Sequence, residues 1–156
     1  MNEKTSSIPR EPNCLFCKIA AGAIPCHKVY EDADVLAFLD IGPIVRGHTL
    51  VIPRQHVVNY LDCPAEIAAK IAMVMPRLCR AVAAAAGAPA CHVLVNNGAA
   101  AMQSVMHLHQ HILPRWDGDH FHLPWPAQKL DAEKGAELAA AVAELLAGGG
   151  KQNRED

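Results

Sequence analysis

Short apolar stretches separated by Gly, Pro and Asp fill the first two thirds of the chain. Val29 to Glu31 and Val35 to Asp40 read as two strands of a hairpin joined by Asp32-Ala33-Asp34. His48 to Pro53 reads as a third strand whose proline ends the ladder, and Cys91 to Asn96 as a fourth. A fifth carries the segment from His107 onward. Leu15 to Ile19 has the length of one or two helical turns, ending near Gly22. Ala65 to Ala86 favours a helix, with Asp62 or Pro64 at its start and Gly87 closing it. Pro76 lies inside that stretch and predicts a kink or a break there. Asp131 to Leu146 is a second main helix, stopped by Gly148-Gly149-Gly150. Most strands follow one another through short links, with helices inserted rather than alternating regularly. That pattern predicts an α+β fold with an antiparallel sheet of about five strands and two main helices. Residues 1–13 read as a polar tail, 14–126 as one domain and 127–156 as a C-terminal helix and tail.

At 156 residues the chain suits one domain with one modest core. Hydrophobic residues make up 51% of it, but alanine supplies many of them, so large core side chains are few. A formal net charge of −2 gives no basic field, which argues against a nucleic-acid partner. No uninterrupted apolar run reaches the roughly 18 residues of a membrane span. The opening Met1-Asn2-Glu3-Lys4-Thr5-Ser6-Ser7 has no apolar core of an export signal. These features predict a soluble, cytoplasmic chain with no membrane partner, whose six cysteines are reduced thiols. Cys14 and Cys17 stand apart, because a C-x-x-C pair has the spacing of half a tetrahedral zinc site. Reduced thiols without metal, or a reversible disulfide, are the competing readings.

His107-Leu108-His109-Gln110-His111 carries most of the chemical information. On a strand, alternate side chains share a face, which sets the three histidines roughly 6–7 Å apart in a row. Each imidazole needs partners for two ring nitrogens, and each titrates near neutral pH. Two uses suit such a row: joint coordination of a catalytic metal, or phosphoryl chemistry. A third functional class is a nucleotide-binding regulatory protein with vestigial activity.

The row, followed by Ile112-Leu113, resembles the signature of the histidine triad (HIT) superfamily. Leu15-Phe16-Cys17-Lys18-Ile19, Phe38-Leu39-Asp40-Ile41, Gly47-His48-Thr49-Leu50-Val51-Ile52-Pro53, Asn96-Asn97-Gly98 and Gln103-Ser104-Val105 follow the family order. The similarity runs from about Asn13 to His120 and is strongest to the nucleoside phosphoramidase branch and its bacterial relatives with a C-x-x-C pair. The resemblance implies a nucleotidyl hydrolase or transferase acting at the α-phosphorus of purine nucleotide phosphoramidates or related anhydrides. In it His109 is the nucleophile, forming a covalent nucleotidyl-imidazole, with His107, His111, Gln103 and Ser104 assisting. Asp40 corresponds to a ribose ligand. Phe16, Ile19, Phe38 and Ile41 correspond to walls of the base slot, and Asn96 to a support of the phosphate loop. A structural Zn2+ at Cys14, Cys17, His56 and His107 is implied, with His48 as the competing ligand, and no organic cofactor. A homodimer is implied too, and the Ala-rich helix from Ala65 to Ala86 offers small residues that permit close approach to a twin. In such a pair the segment around Trp116 and Trp125 either reaches across to the partner or seals its own subunit. Two positions depart from the pattern: Met102 stands where a glycine is usual, and Gln110 where an apolar residue is usual.

Overall fold

The computed structural model describes residues 10–121 and 126–149. Residues 1–9, Trp125 and the charged C-terminal end therefore lie outside the described residues. The chain divides into two units, one reaching to Phe121 and a second beyond it.

In the first unit the order is α1 (Leu15–Ala20), β1 (Lys28–Glu31), β2 (Val35–Leu39), β3 (Thr49–Pro53), α2 (Ala65–Ala86), β4 (Ala90–Val95) and β5 (Gln110–Arg115). The strands form one antiparallel sheet in the order β1-β2-β3-β5-β4, as an α+β chain with short links requires. Asp32 builds the first hairpin turn: its carboxylate accepts from the amides of Asp34 and Val35 at 2.8 and 2.7 Å. β2 and β3 are almost wholly buried, and their alternation sorts side chains to two sides. Val35, Ala37 and Val51 meet Ile67, Ile71, Met75, Leu78 and Val82 of α2. Leu36, Phe38, Leu50 and Ile52 meet Phe16 and Ala20 of α1. α1 therefore lies over the opposite face from α2, and that second face carries the site.

Helix α2 runs through Pro76, where the sequence reads as a kink or a break, without a break. Pro76 is exposed while Met75 and Leu78 beside it are buried, so core packing on one face holds the helix together although one backbone donor is missing. Gly87 ends the helix in the left-handed conformation, φ +68°, with its amide and that of Ala88 returning to Ala84 and Ala83. The histidine row needs a correction as well. β5 begins at Gln110, so His107 and His109 sit on an irregular approach to the strand and only His111 is on it. The alternation still survives: Leu108 and Ile112 enter the α2 side of the core, while the histidines face α1. Trp116 is half-buried. Its indole N–H donates to the Gly87 carbonyl of its own chain at 2.9 Å.

The second unit contains α3 (Ala132–Gly149), which extends three residues past the expected end. Asp131 caps it through the Lys134 amide at 3.0 Å.

Candidate active site

Loop 96–106 and the approach to β5 form the centre of the site. Gln103 is buried, and its amide joins two loops: it donates to the carbonyls of Val58 (2.7 Å) and Val105 (3.0 Å). Its oxygen accepts from the Gly98 amide (2.8 Å) and from Asn59 (3.4 Å). All of this hydrogen bonding stays within the protein, so Gln103 shapes the loop rather than reaching outward. Asn96 donates to the Met102 carbonyl at 3.4 Å, and Asn97 accepts from the Tyr60 amide at 2.9 Å. Met102 itself sits at φ +63°, the left-handed conformation a glycine adopts without strain. The loop thus keeps a glycine-type turn with a methionine in it, its side chain exposed to solvent.

The three histidines have three different settings. His107 is fully buried, and its Nε2–H donates to the Pro53 carbonyl at 2.9 Å. That leaves the Nδ1 lone pair facing the sulfurs of Cys14 (3.4 Å) and Cys17 (3.5 Å). Burial pushes its pKa down to about 4, so the ring is neutral at pH 7. His109 donates from Nδ1 to the His107 carbonyl at 2.7 Å, which puts the lone pair on Nε2. Phe16 packs edge-on against the His109 ring, with centroids 5.2 Å apart. His111 contacts His48 through Nδ1 at 2.8 Å, and its Nε2 is buried with no partner. Burial pushes His111 down to about 4 also. The Ile44 amide donates to His48 Nδ1 at 3.4 Å, so the proton of neutral His48 lies on Nε2 and points at His111. His111 then carries its own proton on the free Nε2, as a donor. Asp40 approaches His48 Nδ1 at 3.5 Å, but desolvation outweighs its attraction and holds the His48 pKa below the ordinary value. The contact is therefore not an ion pair at neutral pH.

A pocket of about 230 Å³ opens beside these rings. Its walls include Phe16, Ile19, Phe38, Asp40, Ile41, Ser104, His109 and His111, so most of the expected binding residues meet in one place. Ile41 is 92% exposed and lines the pocket at its rim. Asp40 also has a turn role, accepting from the Gly42 amide at 2.8 Å. Asn96 and Gln103 stand behind the loop and do not line the pocket. Sequence reasoning missed Leu15, Ile24, Pro25, Cys26, Leu39, Leu50 and Val105 in the lining. Ile24, Pro25 and Cys26 belong to a connection without periodicity, so no local signal marks them.

Cys14, Cys17, His56 and His107 bring four ligand atoms within 4.8 Å of one another. Two thiols and two imidazoles converging so closely are the donor set of a structural zinc. The Pro53 carbonyl already fixes the His107 tautomer that ligation requires. His48 is absent from this cluster and belongs with Asp40 and His111 instead. Among the described residues the row itself forms no such cluster, so a metal gripped jointly by His107, His109 and His111 has no support.

A family model described as HIT domain matches residues 21–118. The chain belongs to the HIT family. It is 43% identical over 138 residues to Protein hit of Bacillus subtilis, covering 86% of this chain and 95% of that one. It is 36% identical over 135 residues to an adenosine 5′-monophosphoramidase of Schizosaccharomyces pombe, covering 83% and 98%. Among solved structures, a zinc-bound histidine triad family protein from Mycobacterium smegmatis superposes with a TM-score of 0.67 at 40% identity, covering 87% and 97%. No helix among the described residues is long and apolar enough to cross a membrane.

Proposed function

We propose that this HIT protein is a nucleotidyl hydrolase or transferase that attacks the α-phosphorus of a purine nucleotide phosphoramidate or related anhydride through His109. The observation that carries the reading is the 2.7 Å contact from His109 Nδ1 to the His107 carbonyl, which in the neutral ring puts the lone pair on Nε2. As Nε2 bonds to phosphorus the ring becomes cationic, and the same carbonyl stabilises it. The P–N bond breaks, the departing amine takes up a proton from solvent, and water then cleaves the nucleotidyl-histidine to give the monophosphate and the free imidazole. His111 Nε2–H donates to a non-bridging phosphate oxygen. Asp40 holds the ribose, and Phe16, Ile19, Phe38 and Ile41 flank the base. Gln103 and Asn96 position the phosphate loop, and Ser104 meets the leaving group. Cys14, Cys17, His56 and His107 hold a structural zinc, supported by the donor cluster and by the zinc-bound relative. The zinc supplies a clamp between α1 and the row, and no chemical step passes through it. Two chains pair as a homodimer, and the protein works in the cytoplasm.

Adenosine 5′-phosphoramidate turnover tests the reading. His109→Ala should lower it by several orders of magnitude while adenosine monophosphate still binds. A labelled nucleotide should appear covalently on acid-quenched wild-type protein. Near-normal turnover by His109→Ala would overturn the assignment.

A further inference from the structure

Gln110 stands between His109 and His111, where an apolar residue is usual, and it is the first residue of β5. The alternation that turns the histidines toward α1 turns its side chain the other way. It is buried, and a buried amide needs partners. Its Nε2–H donates to the phenolic oxygen of Tyr60, whose side chain packs against the core beneath α2. Tyr60 in turn donates from its backbone amide to the Asn97 side chain at 2.9 Å. One tyrosine therefore joins the strand of the row to loop 96–106.

The residues before Tyr60 make the same two connections. The Val57 carbonyl accepts from the Leu108 amide, inside the row, at 2.6 Å. The Val58 carbonyl accepts from Gln103 at 2.7 Å, and Asn59 donates to Gln103 at 3.4 Å. Segment 57–60 is thus a strut with the row on one side and the loop on the other. It belongs to no helix or strand, so its place against the row is set by Leu108 at one end and Gln110 at the other. Ser104, on the same loop, lines the nucleotide pocket together with His109 and His111. A shift of the strut therefore moves one wall of the pocket relative to the nucleophile. We infer that Gln110 is a positioning residue: through Tyr60 it fixes the strut, and the strut fixes loop 96–106 against His109 and His111. This rests on the proposed hydrolase reading and gives a part in it to a side chain that does not line the pocket. Phe16, Phe38 and Asp40, expected at base and ribose, lie outside the strut and the loop, so the role concerns alignment at phosphorus rather than nucleotide affinity.

Adenosine 5′-phosphoramidate hydrolysis, measured well below the melting temperature, tests the tether. Gln110→Leu should lower kcat about tenfold with KM within about twofold, because alignment rather than nucleotide contact is lost. Tyr60→Phe should do the same. In the double variant apolar groups replace both partners, so the melting temperature should return toward that of the wild type. Its kcat should stay at the level of either single variant, because the tether is still missing. Wild-type kcat in Gln110→Leu, or recovery of kcat together with the melting temperature in the double variant, would overturn the role and leave only packing. Amide exchange separates this result from the function itself. The Tyr60 and Gly98 amides, which donate to Asn97 and Gln103, should exchange faster in Gln110→Leu. Faster exchange there, with no hydrolysis by the wild type, would keep the tether and reject the hydrolase. Unchanged exchange would reject the tether.

Discussion

At the scale of single residues, backbone carbonyls decide what each histidine can do. The Pro53 carbonyl takes one proton of His107 and the His107 carbonyl takes one of His109, so the two lone pairs point to different tasks. The row was legible in the sequence because its residue types and spacing are unusual. The division of labour was not, because it depends on irregular backbone at His107 to His109 and on a carbonyl from β3. Gln103 shows the same limit: its position in the chain placed it in the phosphate loop, but only the fold shows its amide committed to Val58, Val105, Gly98 and Asn59. Met102 permits a direct test. A non-glycine residue in the left-handed region is strained by roughly 1–2 kcal/mol, and this side chain is exposed, so its removal leaves no cavity. Met102→Gly should therefore raise stability by about 1 kcal/mol in urea denaturation, net of the greater entropy glycine loses on folding. Met102→Ala should leave it nearly unchanged. An equal gain from alanine would show that the side chain, not the backbone, carries the strain.

At the scale of elements, α1 is only six residues long, too short to be stable by its own hydrogen bonds. Phe16, Cys17 and Ala20 bury one side of it, and Cys14 and Cys17 tie it to His56 and His107. Protein purified without a histidine tag should contain about one zinc per chain, as a four-ligand site requires. Cys17→Ser should lose the metal and lower the melting temperature. His48→Asn should keep the zinc, because His48 turns toward His111 instead. Elemental analysis of the two variants decides, and retention of zinc by Cys17→Ser would reject the site. The C-x-x-C pair was readable from spacing alone. The distant histidines were not, since nothing local to His56 distinguishes it from His48. Helix α2 gives a second lesson. Pro76 locally signals a break, yet buried Ile71, Met75, Leu78 and Val82 on one face outweigh the lost backbone bond. Pro76→Ala should restore that bond and raise stability by about 1–3 kcal/mol, at or below the usual proline penalty. A loss of stability would mean that the core is built around the proline.

At the scale of the whole molecule, buried neutral histidines make stability depend on pH. His111 is pushed down to about 4, whereas an unfolded histidine titrates near 6.5. Between those values the unfolded chain binds more protons, so stability is level above about 6.5 and falls as pH drops toward 4. His111→Gln should flatten part of that fall in denaturation series at pH 7.5, 6 and 5, and an unchanged slope would contradict the burial. Assembly is the other property of this scale. Among the described residues β4 pairs only with β5, so the outer edge of a six-residue strand is left free at the end of the sheet. Val93, in the middle of β4, is 44% exposed, and free edges of this kind are usually shielded or paired. A second copy related by a two-fold axis through the middle of β4 would continue the sheet antiparallel, with the same patch on both partners. The sequence points to the small residues of α2 as a pairing surface; the β4 edge joins them as a candidate only once the strand order is known. Light scattering at micromolar concentration should give about twice the 16.8 kDa of one chain. Val93→Asp would set two like charges near the axis and should shift the protein toward monomer while leaving its circular dichroism intact. A wild-type mass near that of one chain would reject the dimer, and a dimeric Val93→Asp would move the interface away from β4.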